Sequence, residues 1–159
     1  MSTNSLIAVQ NENDSYSVVW CHFDGYLKWN GQKLLDHYSD WSKVIELVSM
    51  GGIHLLMSTI GQKHELYKDR DLAETSKWTS FYHRDSGDPK EIYTCDSLDG
   101  LMQFAMDYSG YLYVFDGDKW YYCKLTLPHY EAFKIMEREF DLNKYPFELL
   151  TQEEINRES

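Results

Sequence analysis

The chain of 159 residues carries 15 basic and 26 acidic side chains, a formal net charge of −11, which opposes binding to a phosphate backbone unless a basic stripe is present, and the sequence has none. Hydrophobic residues at 43% and aromatics at 16% exclude a disordered chain and are enough for one packed domain. No apolar run approaches the roughly 18 residues that span a bilayer, and Met1-Ser2-Thr3-Asn4 lacks the basic start of a signal peptide, so the expectation is a cytoplasmic protein without membrane contact.

Residues 1–13 read as an N-terminal arm, polar apart from Leu6-Ile7-Ala8-Val9, an island expected as an edge strand or loosely held. Tyr16 to Phe23 alternates, with Val18, Trp20 and His22 on one face and Val19, Cys21 and Phe23 on the other. Both faces are largely apolar, which predicts an interior strand, and Asp24-Gly25 supplies the turn that ends it. A short helix is expected around Leu34, Leu35 and Tyr38. A second follows from the stripe Trp41, Val44, Ile45 and Val48, capped by Ser39 or Asp40 and stopped at Gly51-Gly52. Ile53 to Ile60 is ambiguous between strand and buried turn, and Gln62 to Glu74 reads as a solvated loop or weak helix.

Trp78 to Arg84 alternates again and predicts a second strand running into the turn Asp85-Ser86-Gly87-Asp88-Pro89. Asp96 or Ser97 caps a helix whose inner stripe is Leu98, Leu101, Met102, Ala105 and Met106, closed by Gly110. Tyr111 to Phe115, Asp116-Gly117 and Lys119 to Leu125 form the strongest hairpin signal, because Asp-Gly suits a tight turn between aromatic, β-rich strands. Pro128 opens a final helix with Phe133, Met136 and Phe140 on one face. Thr151-Gln152-Glu153-Glu154 is a capping box in an acidic tail, residues 142–159, expected as a marginal helix or frayed. These elements predict a single α+β domain over residues 14–141, with a small antiparallel sheet and an aromatic hairpin packed against several short helices.

Cys21, Cys95 and Cys123 are odd in number and contain no Cys-x-x-Cys pair, which predicts free structural thiols and folding without a disulfide or a metal. Charge is uneven: residues 1–80 hold seven basic and ten acidic side chains, residues 81–159 eight and sixteen. The acidic surplus favours solubility and offers a surface for a basic partner.

Two segments share a pattern, His22-Phe23-Asp24-Gly25 and His83-Arg84-Asp85-Ser86-Gly87, each with His and Asp two residues apart at the end of an expected strand. On neighbouring strands, His22, Asp24, His83 and Asp85 would converge as an acid/base or divalent-metal cluster, with Arg84 clamping a phosphate or carboxylate. The same residues also make ordinary turns, Asp accepting backbone N–H bonds. His83-Arg84-Asp85 lacks the Asn a protein-kinase catalytic loop needs five residues past its Asp, since position 90 is Lys. Cys21 and His22 point to opposite faces of a strand and form no dyad.

At these segments the sequence resembles a family of small uncharacterised proteins encoded by bacteriophages and prophages. The residues that carry the resemblance are His22-Phe23-Asp24-Gly25-Tyr26 with Gly31 and Leu34-Leu35, then Tyr82-His83-Arg84-Asp85, then Phe115-Asp116-Gly117 with Trp120-Tyr121. It spans about residues 16–125, and the chain departs from it at Leu27 and Trp29, where the family has Pro and Gly. The resemblance implies a phage or mobile-element setting and no particular reaction.

The expected function is a non-enzymatic, acidic, phage-encoded protein in the host cytoplasm that inhibits a host defence or nucleic-acid-handling protein by covering its basic surface. Its contact residues are expected to be Asp88, Glu91, Asp99 and Asp118 with Tyr113 and Trp120, and no cofactor, metal or direct nucleic-acid contact is expected. The alternative is a small enzyme acting on a phosphorylated or nucleotide-like substrate through His22, Asp24, His83, Arg84 and Asp85.

Overall fold

The computed structural model describes residues 3–67, 70–125 and 145–158. The helix expected from Pro128 lies outside them. The chain is an α+β domain whose eight strands form one mixed sheet, larger than the small antiparallel sheet the sequence predicts. The strands are β1 (Ser5–Gln10), β2 (Tyr16–Cys21), β3 (Ile53–Leu55), β4 (Ser80–Phe81), β5 (Tyr93–Cys95), β6 (Gly110–Phe115), β7 (Trp120–Leu125) and β8 (Glu148–Leu149). Their order is β4-β3-β2-β1-β6-β7-β8, with β5 also paired to β2. Two pairings are parallel, β1 with β6 and β2 with β3.

The N-terminal segment is the main departure from the sequence reading. Instead of an arm or an edge, β1 lies between β2 and β6, and Ser5 to Val9 are fully buried. A continuous apolar run fits that position: Ile7 and Val9 pack on one side of the sheet, Leu6 and Ala8 on the other. The entry to β1 is clamped by two glycines. A Cβ on Gly25 would fall 2.3 Å from the Asn4 carbonyl oxygen, and one on Gly110, at φ +93, would fall 1.9 Å from the same atom. Gly25 therefore serves close backbone approach as well as the turn.

Helices cover both faces of the sheet. On one side lie α1 (Gln32–His37), which continues a π-helical turn over Leu27–Gly31, α2 (Trp41–Ser49) and a C-terminal helix (Gln152–Arg157). They bury Leu34, Val44, Leu47, Val48 and Ile155 against Val19, Tyr113 and Phe115. The last turn of α2 passes into Gly51 at φ +83, the expected left-handed stop. Two further short helices, α3 (Arg70–Ser76) and α4 (Tyr82–Ser86), flank β4. On the opposite side α5 (Leu98–Ala105) places Leu98, Leu101, Met102 and Ala105 against Leu112 and Val114, and the Ser97 hydroxyl caps it by accepting from the Gly100 amide.

Thr151 caps the C-terminal helix by accepting from the Glu154 amide, while the Glu154 carboxylate accepts from Tyr122 and Arg157 and does not close the box, and of the two expectations for the tail residues 152–157 form the helix. Cys21, Cys95 and Cys123 are free and buried, and burial pushes the Cys21 thiol up to about 12 despite hydrogen bonds to Asn30 and Ser5. Among the described residues no helix is long and apolar enough to cross a membrane.

Candidate functional site

Strand β2 makes the site by what its outer edge lacks. That edge pairs with β5 along Tyr16–Val18 and with β3 only at Cys21. Between these two partners the sheet opens into a cleft of about 390 Å³. The β2 end contributes Trp20 and His22, which share a face as their spacing predicts. Gly52 enters from before β3 and Tyr82 from α4, the α4–β5 connection adds Asp88, Pro89 and Glu91, and β5 adds Tyr93.

The rings in the cleft are near-parallel. Trp20 lies 5.1 Å from His22 and 6.3 Å from Tyr82 between centroids, with interplanar angles of 23° and 17°, and His22 to Tyr82 is 6.4 Å at 23°. A hydrogen bond of 2.6 Å between His22 Nδ1 and the Tyr82 hydroxyl holds two of them in place. His54, on β3, stands edge-on to His22, Phe23 and Tyr82, at 82°, 86° and 90°. Burial lowers the His54 pKa, and the His22 charge lowers it further. Burial pushes the Tyr82 hydroxyl up to about 12, with Cys21 and Asp88 adding to the rise.

Of the five residues expected to form a catalytic cluster, only His22 lines this cleft. Asp24 is buried in the turn at φ 57, where its carboxylate accepts from the Tyr26 hydroxyl and its carbonyl from the Asn30 amide. His83, Arg84 and Asp85 are on α4 and not on a strand. On a helix, residues two apart point to nearly opposite sides. The Asp85 side chain is accordingly buried, while His83 is exposed and bonds the Asp88 carbonyl at 2.8 Å. The α4 segment does reach His22, but through Tyr82.

Arg84 and Asp85 serve the fold. The Arg84 guanidinium donates to both Asp85 oxygens and to the carbonyls of Ile60, Gly61 and Thr79, which uses all five of its N–H donors. Asp85 also accepts from the Phe81 and His64 amides. Burial alone would raise its pKa, but the Arg84 hydrogen bonds, the two amides and the Arg84 charge outweigh it and hold the carboxyl below its usual range. The pair thus ties the 60–64 loop to α4 and leaves no guanidinium edge for a phosphate. Among the described residues no group of three or more His, Cys, Asp or Glu is placed to hold a metal ion.

The residues expected to contact a partner separate in the same way. Asp88 and Glu91 are exposed at the cleft, and Asp118 is exposed in the β6–β7 turn. Asp99 is half-buried at the start of α5 and accepts from the Tyr145 hydroxyl. Tyr113 and Trp120 are core residues and offer no contact surface. Tyr113 is fully buried with its hydroxyl on the Gly25 carbonyl, and Trp120 is 3% exposed with its indole N–H on the Tyr38 carbonyl. The hairpin packs into both core clusters, while Tyr121 and Tyr122 stay partly exposed and Tyr122 lines a wider cleft with Tyr111. Sequence reading missed Trp20, His54, Tyr82 and Tyr93. The available signal was the alternation that set Trp20 beside His22.

A second, wider cleft of about 800 Å³ lies where the C-terminal helix meets the sheet. Its wall is closed by Glu158, whose carboxylate accepts from the Leu27 and Lys28 amides at 2.8 and 2.9 Å and from the Tyr111 hydroxyl at 2.8 Å. Neither a protein-family model nor a curated protein nor a solved structure matches the chain.

Proposed function

We propose that the chain is a non-enzymatic binding protein that docks a basic protein surface at the β2 cleft. The observation that carries this reading is the pairing of an aromatic floor with two exposed carboxylates, Asp88 and Glu91, neither of which joins an ion pair among the described residues. An apolar cleft wall lowers the local dielectric and strengthens attraction between those carboxylates and an incoming cation, while the net charge of −11 steers the encounter. Together with the resemblance to phage-encoded proteins, this supports a partner among host defence or nucleic-acid-handling factors, whose nucleic-acid face is basic. Covering that face would inhibit it.

The enzyme reading draws no comparable support. Arg84 has no donor to spare, Asp24 and Asp85 are turned into the fold, and a Tyr82 hydroxyl at about 12 stays protonated near neutral pH. The test is binding of a fluorescent peptide rich in Lys and Arg, titrated at low and high salt. The expected result is an affinity that falls with salt and drops about tenfold or more in the double variant Asp88→Lys, Glu91→Lys, whose folding is checked by circular dichroism. Undiminished binding by the double variant at low salt overturns the proposal.

A further inference from the structure

We infer that the guest of the β2 cleft is the side chain of a partner arginine, an inference that rests on the basic-partner reading above and narrows it. The ring geometry discriminates between cations. Trp20, His22 and Tyr82 lie within 23° of a common plane orientation at centroid separations of 5.1 to 6.4 Å, and Phe23 stacks on His22 at 4.0 Å and 13°, so the rings lining the cleft belong to a stack with one shared direction and do not form a box. A box suits a compact, roughly spherical ammonium. A parallel stack suits a flat cation that extends it.

Guanidinium is planar, weakly hydrated and stacks on aromatic faces, whereas the lysine ammonium is a strongly hydrated point charge. The rim completes the match. Asp88 and Glu91 enter from one connection, two carboxylates that an arginine fork can address while its plane rests on the rings. The Tyr93 hydroxyl donates to Glu91 at 3.3 Å and biases that carboxylate toward the cleft wall. Lys90, between the two acids, does not line the cleft. Its stem lies against Gly51, with Cγ 2.8 Å from where a Cβ on that glycine would be, so it does not occupy the guest's place.

Size and rigidity point the same way. A volume of about 390 Å³ is near the lower end for small-molecule pockets and accommodates a single side chain better than a stretch of peptide. The floor is already fixed in the unbound protein by the His22–Tyr82 hydrogen bond and by His54 standing edge-on beside both rings. Little ordering remains to oppose binding.

The experiment titrates the intact protein with four probes, following the Trp20 indole N–H and the His22 ring signals by NMR. The probes are the capped pentapeptides Gly-Gly-Arg-Gly-Gly and Gly-Gly-Lys-Gly-Gly, the same peptide with uncharged citrulline in the centre, and adenosine monophosphate. The arginine peptide is expected to bind about fivefold or more tighter than the lysine peptide, a difference of roughly 1 kcal/mol. Its binding is expected to be lost in Asp88→Asn, Glu91→Gln, a double variant at exposed positions that leaves the core untouched. Equal, salt-sensitive binding of the lysine and arginine peptides overturns the arginine inference and leaves the basic-partner reading standing. Citrulline binding as well as arginine overturns both, as does the absence of any shift at Trp20 or His22. Stronger shifts with adenosine monophosphate assign the flat floor to a nucleobase and overturn both as well.

Discussion

Asp85→Asn is the sharpest test of the claim that Arg84 and Asp85 are structural. In the parent, the Asp85 carboxylate has no exposed side-chain area and accepts four N–H bonds, from Phe81 and His64 at 2.8 and 3.0 Å and from Arg84 at 2.8 and 3.1 Å. Asparagine keeps one acceptor and turns an N–H₂ group toward donors. It also leaves the Arg84 charge, in a side chain only 13% exposed, without its counter-ion. Removing one member of a buried pair costs about 3–5 kcal/mol, and the retained oxygen puts this case near 3 kcal/mol, a shift of more than a hundredfold in the unfolding equilibrium. Urea unfolding followed by tryptophan fluorescence should show a lower midpoint with an unchanged slope. The pH dependence gives a second reading. Because the folded-state pKa is depressed, the Asp85 contribution is fully present above the unfolded value of about 3.9 and is lost as pH falls through the folded value. The gap between parent and variant should therefore close below about pH 4. A variant within about 0.5 kcal/mol of the parent at pH 7 refutes the argument, since that is the range of an ordinary surface change.

Trp120→Ala should cost about 3–5 kcal/mol in the same unfolding assay, as a core deletion does, and a stable variant would return Trp120 to the surface. Glu158→Ala strips an acceptor from two amides and the Tyr111 hydroxyl, at a cost of about 1–3 kcal/mol. Faster hydrogen exchange at Leu27 and Lys28 should report it, and unchanged protection there counts against the clamp. Burial and the His22 charge lower the folded-state pKa of His54, so its contribution is complete above the unfolded value of about 6.5 and lost as pH falls through the folded value. His54→Gln should flatten the stability profile on the acidic side of pH 6.5, and an identical profile would exclude His54 as its source.

Local periodicity was enough for the elements whose partners are near in sequence or whose pattern is decisive. The β2 alternation, the α2 and α5 stripes, the Asp-Gly hairpin and the Thr151 cap all follow from residues within a few positions of each other. The position of β1 does not, because its place in the sheet is set by parallel pairing of Ser5–Val9 with Tyr111–Phe115, a distant segment that leaves no local trace. The α4 segment misled for the opposite reason. Trp78 to Arg84 alternates like a strand, yet the Asp85 carboxylate caps the Phe81 amide and Gly87 closes the turn at φ +79, so the strand stops after Ser80–Phe81 and a helical turn replaces it. That one change of period rotates His83 to solvent and Asp85 inward, and it dissolves the expected cluster. Asp88 and Glu91 could be named from exposure and charge, whereas the floor beneath them required knowing that β3 and β5 leave the β2 edge open between them.

Tyr82 links fold and cleft, and a single-atom change separates its two roles. Its backbone is fixed independently, the amide donating to the Gly52 carbonyl and the carbonyl accepting from the Asp88 amide, both at 3.1 Å. Tyr82→Phe therefore removes only the hydroxyl bond to His22 and keeps the ring on the floor. Stability should fall by about 0.5–1.5 kcal/mol, the net worth of one hydrogen bond. If the ring face carries recognition, the arginine peptide should bind Tyr82→Phe within about threefold of the parent, while Tyr82→Ala, which removes that face, should lose the roughly 0.5–2 kcal/mol such a contact supplies. Affinity in the parent should also stay level from about pH 7 to 9, because a hydroxyl pushed up to about 12 remains protonated throughout that range. Loss of binding in Tyr82→Phe equal to that in Tyr82→Ala, or affinity that climbs with pH in the parent alone, would make the hydroxyl itself the contact and overturn stacking as the basis of recognition.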